Sequence, residues 1–230
     1  MIPLINLLYL MNLLFLSLAP IFVILFYVYY RDKYEKEPWK LLLMALVLGG
    51  FISLPAIFIE TFLGIFSPDG GMKQAAHNAF VVAAFTEEGL KYIAFLLLIW
   101  KSKEFNEKFD GIVYSVFISL GFAGVENLLY VLNGDVSVGI MRAVTAVPAH
   151  ALFGVTMGYY YGLARFFPSK RKSYLIKAIL IPILLHGFYD FCLMSGHVLF
   201  LVLFIPFVIY LWYSGFKKMK DLSDRSVYKP

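Results

Sequence analysis

Cysteine and charged residues are scarce in this sequence, and each scarcity excludes a class of protein. The only cysteine, Cys192, excludes an internal disulfide and a cysteine-rich metal site. Charged residues make up 15% of the 230 residues, whereas ordinary globular domains contain about 25%. With 61% hydrophobic residues and a mean hydropathy of +0.78, the composition excludes a soluble domain and a disordered chain. It predicts a multi-pass membrane protein with short loops.

Seven apolar runs are each long enough for a transmembrane helix, which needs about 20 apolar residues. Short polar segments separate these runs, and the weakest of the breaks is near 195–197. We therefore predict an all-α fold, a single integral membrane bundle of about seven transmembrane helices that spans residues 1–230. The predicted spans are 3–30, 40–62, 75–100, 110–132, 139–166, 174–195 and 197–216, followed by a polar tail at 217–230.

The basic residues fall almost entirely on one side of this predicted bundle. Of the 20 lysines and arginines, 17 lie on the side that holds the first, third and fifth loops and the tail, whereas only Lys73 and Arg142 lie on the other side. The positive-inside rule then predicts an N-terminus outside and a cytoplasmic C-terminus. The net charge of +5 is explained by this topology and by attraction to anionic lipid. The predicted partner is the lipid bilayer, and a nucleic-acid surface is not indicated.

Ionisable residues nevertheless occur inside four consecutive predicted helices, where a charge at mid-bilayer costs at least about 2.5–3.5 kcal/mol. Counting about 1.5 Å per residue along each helix places them in one band, in the outer half of the membrane. Such residues are functional candidates by default. They are Glu87, Glu88 and Lys91 in the third helix, Glu126 in the fourth, His150 in the fifth, and His186 and Asp190 in the sixth.

Spacing within each helix indicates which of these residues share a face. Glu87 and Lys91 are four residues apart, as are His186 and Asp190, so each pair can interact on one helix surface. His150 continues a stripe of glycines at spacing four, and such stripes let two helices approach closely. His150 is therefore predicted to point at a neighbouring helix, with Gly154, Gly158 and Gly162 below it.

These residues resemble the motifs of the PrsW family of bacterial membrane proteases, which belongs to a wider group with the type II CAAX prenyl proteases. The first motif is Glu87-Glu88-Gly89-Leu90-Lys91, with the lysine typical of PrsW. The second is Phe122-xxx-Glu126, with glutamate where the prenyl proteases have histidine. His150 and then His186-xxx-Asp190 follow, the last with aspartate in place of asparagine. Each motif alone is weak, but all four in order on successive helices are specific.

The resemblance implies an intramembrane endopeptidase of the bacterial cytoplasmic membrane. PrsW-like proteins make a first, site-1 cut on the extracytoplasmic side of a single-span membrane protein, an anti-sigma factor, in a stress response. The predicted outer-half depth of the ionisable residues agrees with that side of cutting. The identity of the substrate, the scissile bond, the activating signal and the oligomeric state are left open.

Two hydrolytic schemes fit the candidate residues. In one, Glu87 or Glu88 is the general base and His150 and His186 hydrogen-bond the water and the oxyanion. In the other, His150, His186 and Glu126 hold a divalent metal such as zinc, and a glutamate of the third helix is the base. In both, Lys91 balances charge, while Glu126 and Asp190 can orient the histidines.

Three other functions compete with proteolysis of an anti-sigma factor. A CAAX-type prenyl endopeptidase is disfavoured by the glutamate and aspartate at 126 and 190. A proton-coupled transporter would also bury glutamate and histidine, but no inverted repeat is visible in the sequence. A non-catalytic scaffold of the same fold is disfavoured by the intact Glu87-Glu88 pair and both histidines.

Overall fold

The computed structural model describes residues 2–133, 136–226 and 228, which form helices joined by short connections. The α-helices are α1 (Ile2–Arg31), α2 (Trp39–Gly64), α3 (Gly71–His77), α4 (Thr86–Leu98), α5 (Asp110–Asn133), α6 (Val136–Val144), α7 (Ala146–Phe166), α8 (Arg171–Met194) and α9 (Val198–Asp224). A π-helix at Asn78–Phe85 joins α3 to α4, and a 3₁₀ turn at Pro168–Lys170 precedes α8.

The predicted all-α membrane fold is confirmed. Among the described residues, five stretches are long and apolar enough to cross a membrane, and they are Trp39–Gly64, Asp110–Leu132, Gly139–Phe166, Pro168–Met194 and Val198–Asp224. Each of the other two predicted spans also coincides with helix, in α1 and in the continuous helical segment from α3 to α4. The count of seven crossings and the orientation of the termini stay predictions.

Helix α9 extends beyond the last predicted span. Helix α9 continues to Asp224, so the first eight residues of the predicted polar tail are helical. Asp221 explains part of this extension, because it pairs with Arg225 at 2.9 Å and accepts a hydrogen bond from the Tyr159 hydroxyl at 3.1 Å. Gly134 and Asp135 of the predicted fourth loop lie outside the described residues, as do Met1, Val227, Lys229 and Pro230.

Helix α5 is the centre of the bundle and packs against α1, α2 and α7. Glycine makes the α5–α7 contact possible, as the stripe below His150 predicts. A Cβ atom on Gly158 would lie 2.1 Å from the carbonyl oxygen of Gly111, and one on Gly111 would lie 2.5 Å from that of Gly158. The two backbones therefore touch directly. This close crossing brings Glu126 of α5 beside His150 of α7.

The π-helix before α4 is the feature of the fold that the sequence did not predict. π-helical segments are rare and are frequently found at functional sites. Here the segment packs against α8, where a Cβ on Gly187 would lie 2.2 Å from Cδ1 of Phe80. Directly after the wide turns, Glu87, Glu88 and Lys91 are all buried in the bundle.

Candidate functional site

The glutamate pair of α4 is bound together by a lysine of the same helix. The Lys91 ammonium donates to Oε1 of Glu88 at 2.8 Å and to Oε2 of Glu87 at 3.1 Å. It also lies 4.3 Å from the ring centroid of Phe122, within cation–π range. Glu88 and Lys91 are essentially inaccessible to solvent, and Glu87 is 5% exposed. This pairing offsets the cost of burying three charges in the bundle.

His150 connects this group to α5. Its Nδ1 lies 3.1 Å from the Lys91 ammonium, and its Nε2 lies 2.9 Å from Oε2 of Glu126. An ammonium can only donate, so Nδ1 is the acceptor and the proton of the ring is on Nε2, where it is donated to Glu126. The contact between Glu87 and Nδ1 is longer, at 3.9 Å.

His186 of α8 has a similar arrangement on the other side of the pair. Its Nδ1 lies 3.0 Å from Oε1 of Glu88, and its Nε2 lies 3.3 Å from Oδ2 of Asp190. The ring of Phe153 stacks on it with centroids 4.9 Å apart. Each histidine thus turns one nitrogen toward the α4 glutamates and has a carboxylate behind the other nitrogen.

Arg142 of α6 extends the network, although it was not among the site residues predicted from the sequence. Its guanidinium lies 2.9 Å from Oε1 of Glu126 and its Nε donates to Oδ1 of Asn127 at 3.0 Å. Tyr130 lies beneath the guanidinium, with the ring centroid 4.0 Å away. One signal was available in the sequence, because Arg142 is one of only two basic residues on the predicted outer side and lies eight residues before His150.

A cavity of about 340 Å³ lies against this network. The polar side chains in its wall are Glu126, Tyr130, Arg142, Thr145, His150, His186, Tyr189 and Asp190. Glu87, Glu88 and Lys91 are not in the wall and lie behind the two histidines. A molecule that entered the cavity would therefore meet the histidines and their carboxylates first.

The donor atoms of four residues are close enough together to hold a metal ion. One donor atom each from Glu87, Glu88, His150 and His186 lies within 4.8 Å of the others. The second oxygen of Glu88 is buried and has no hydrogen-bond partner among the described residues. Imidazole nitrogen and carboxylate oxygen are the donors that catalytic zinc sites use. The residues therefore fit a divalent metal, although the Lys91 ammonium lies among the same donor atoms.

All seven residues predicted from the sequence come together in this one network. Glu126, which the sequence analysis considered as a third metal ligand beside His150 and His186, lies against the outer nitrogen of His150 and outside the set of four donors. Asp190 has the matching position on His186. Lys91 has the predicted charge-balancing position, and it contacts His150 as well as both glutamates.

Comparison with known proteins assigns the chain to a family. Residues 37–213 match the family described as PrsW family intramembrane metalloprotease. The chain is 39% identical over 222 residues to Protease PrsW of Clostridioides difficile (strain 630), with 94% of this chain and 93% of that protein covered.

Sequence identity and coverage are similar for two further proteins named Protease PrsW. Identity is 38% over 209 residues for the protein of Geobacillus kaustophilus (strain HTA426), covering 89% of each chain. It is 37% over 207 residues for that of Bacillus subtilis (strain 168), covering 89% of this chain and 92% of the relative. No solved structure matches the chain. The chain belongs to the PrsW family of intramembrane metalloproteases and is a multi-pass protein of a bacterial membrane.

Proposed function

We propose that the Glu/His network and its cavity are the active site, and that this site makes the first cut in a single-span membrane protein on its extracytoplasmic side. The observation that carries this proposal is the convergence of Glu87, Glu88, His150 and His186 within 4.8 Å beside a cavity in the apolar bundle. Isolated buried charges would not be expected to meet at one point.

Glu87, Glu88, His150 and His186 are the residues that would hold the metal, and zinc is the ion whose preferred donors they match best. A bound zinc ion polarises a carbonyl oxygen and lowers the pKa of a bound water molecule. The orphaned oxygen of Glu88 supports this assignment, because a buried carboxylate oxygen without a partner is costly unless a ligand satisfies it.

The histidines are oriented by carboxylates from outside the donor set. Glu126 accepts a hydrogen bond from Nε2 of His150, so the lone pair of Nδ1 points toward the centre of the site, where it contacts the Lys91 ammonium in the absence of a metal. Asp190 has the equivalent position behind His186. This arrangement, in which a carboxylate fixes the ring and the tautomer of a histidine ligand, is usual in metal sites. Glu126 and Asp190 are therefore positioning residues.

Hydrolysis of an amide needs a base for the water and an acid for the leaving amine. A carboxylate oxygen of the Glu87–Glu88 pair that does not bind the metal takes a proton from the water as the water oxygen bonds to the scissile carbonyl carbon. The same carboxyl group then gives that proton to the amine nitrogen as the C–N bond breaks. The Arg142 guanidinium, in the cavity wall, can hydrogen-bond the backbone of a bound peptide.

The side of the membrane on which the substrate is cut follows from where the network lies along the helices. Glu126 is near the C-terminal end of α5 and His150 near the N-terminal end of α7, and both ends are on the predicted outer side. An anti-sigma factor with one span and an extracytoplasmic segment is the substrate that this position supports, in keeping with regulated proteolysis in a stress response.

The test is cleavage of a single-span anti-sigma factor by purified protein in liposomes, with the product termini read by mass spectrometry. We expect cutting on the extracytoplasmic side of the substrate, and loss of cutting in Glu87→Gln, His150→Gln and His186→Gln. His197→Gln, which alters an exposed histidine at the start of α9, is the matched control and should retain wild-type activity. Cleavage on the cytoplasmic side, or full activity in the three site variants, would overturn the proposal.

A further inference from the structure

A second group of buried acidic side chains lies at the opposite end of α5. Asp110 is the first residue of that helix, and Glu126 is 16 residues further on, about 24 Å along the axis. Glu35 and Glu37 from the α1–α2 connection lie beside Asp110. Glu37 is 2% exposed and Asp110 is completely buried. The Glu/His network does not use any of these residues.

Oxygen atoms of Glu35, Glu37 and Asp110 all lie within 4.8 Å of one another. Each of these side chains is fixed through one of its two oxygens. Tyr114 donates its hydroxyl proton to Oε2 of Glu37. The backbone N–H of Asn106 donates to Oδ2 of Asp110 at 2.8 Å. The side-chain nitrogen of Asn106 donates to Oε1 of Glu35 at 3.1 Å. The carboxylates are thus held in place at short range from one another.

Apart from a hydrogen bond between the carboxyl groups of Glu37 and Asp110, which share a proton, the remaining oxygens of these residues have no hydrogen-bond partner within the described part of the chain. They are Oε2 of Glu35, Oε1 of Glu37, Oδ1 of Asp110 and Oδ1 of Asn106. Both carboxylate oxygens of the neighbouring Asp32, which is 1% exposed, are also unpartnered. Buried acceptors without donors cost about 1–3 kcal/mol each, and more when charged. Glu35, Glu37, Asp110 and Asn106 each offer an oxygen atom to a cation.

Lys36, which lies between Glu35 and Glu37 in the sequence, does not satisfy these oxygens. The Lys36 ammonium donates to the backbone carbonyl oxygens of Tyr29 and Asp32, and lies over the Tyr29 ring at 4.7 Å. Within the described part of the chain, no basic side chain donates a hydrogen bond to an oxygen of Glu35, Glu37 or Asp110.

We propose that Glu35, Glu37, Asp110 and the side-chain oxygen of Asn106 bind a divalent cation of the oxygen-preferring class, Mg²⁺ or Ca²⁺. All four donors are oxygens, which these hard cations prefer, and nitrogen and sulfur donors are absent from the set. The bound ion ties the α1–α2 connection to the start of α5, the central helix of the bundle. The site is separate from the Glu/His network in position and in donor type.

The experiment measures thermal unfolding of the full-length protein in detergent after removal of metals with a chelator. Mg²⁺ and Ca²⁺ are then titrated in the low millimolar range, with wild type and the double variant Glu37→Gln/Asp110→Asn. For wild type we expect a saturable increase in Tm with at least one of the two ions. The double variant should show no increase, and its metal-free Tm should exceed that of wild type because the repulsion between carboxylates is removed.

Two further variants keep the result decisive. Glu87→Gln alters the Glu/His network and should retain the full cation response. Glu35→Gln alters the partly exposed member of the acidic set and serves as the test if the double variant does not fold. It should raise the cation concentration at the midpoint of the Tm titration at least several-fold. A wild-type Tm that neither ion changes would overturn the proposal. So would a response that Glu35→Gln leaves unchanged or that Glu87→Gln abolishes.

Discussion

The Lys91 ammonium lies 3.1 Å from Nδ1 of His150, a residue 59 positions later in the chain. The same ammonium is 2.8 Å from Glu88 and 3.1 Å from Glu87. It therefore contacts three of the four residues whose donor atoms could hold a metal. Lys91 and a metal ion compete for the same donors, so the lysine stabilises the metal-free site and must move when a metal binds.

Replacing Lys91 should separate these two effects. Lys91→Met leaves the buried carboxylates without a cation, and breaking a buried ion pair costs about 3–5 kcal/mol. We expect a markedly lower Tm in the presence of a chelator, and zinc binding at least tenfold tighter than in wild type, measured by calorimetry. Lys73→Met on the exposed start of α3 is the control. Weaker zinc binding in Lys91→Met would contradict the competition.

The two outer carboxylates should act through the histidines. Because Glu126 holds Nε2 of His150 and Asp190 holds Nε2 of His186, Glu126→Gln and Asp190→Asn should each reduce zinc affinity or kcat about 10–100-fold. Stoichiometric zinc binding by both variants at raised zinc concentration would distinguish a positioning role from loss of a ligand. The exposed Glu104→Gln is the control. Unchanged zinc affinity and kcat in both variants would refute the assignment.

The glycine contact between α5 and α7 should be intolerant of any side chain. Gly158→Ala places a Cβ 2.1 Å from a backbone oxygen of Gly111, and such overpacking typically costs about 1–3 kcal/mol. We expect a lower Tm and reduced cleavage, because the helices that carry Glu126 and His150 are forced apart. Gly64→Ala, where a Cβ meets nothing within 4 Å, should have little effect. Equal Tm values for the two variants would show that the backbones are not in contact.

Metal-free stability should depend on pH through Asp32. Burial raises the pKa of Asp32 to about 7, so the folded state binds a proton more tightly than the unfolded chain does. The contribution of Asp32 to stability is present at low pH and is lost as the pH rises from about 4 to about 7. Asp32→Asn in the presence of a chelator should therefore gain Tm relative to wild type as the pH rises over this range. A Tm advantage of Asp32→Asn over wild type that becomes smaller as the pH rises over the same range would contradict the predicted direction of the effect.

The contacts within each helix could be predicted from the sequence, because spacing of three or four residues fixes which side chains share a face. That rule gives the pairing of Lys91 with Glu87 and of His186 with Asp190. The order of the motifs along the chain, with a family resemblance, indicated that the four helices share one site.

Contacts between helices could not be derived in this way. The pairing of Glu126 with His150 depends on the crossing of α5 and α7. The contact of Arg142 with Glu126 depends on where α6 ends. The acidic set near Asp110 joins two segments about 75 residues apart, each of which reads as an ordinary polar loop. The π-helix has no composition signal of its own.

One reconstitution tests most directly whether the Glu/His network hydrolyses peptide bonds with the help of a metal. Wild type and Glu87→Gln are placed in liposomes with a single-span substrate, stripped of metal with a strong chelator, and then supplied with zinc. We predict cutting by wild type that is lost on stripping and restored by zinc, and no cutting by Glu87→Gln in any condition. Cutting by wild type after stripping, with elemental analysis showing no residual metal, would contradict the account, and so would full activity in Glu87→Gln.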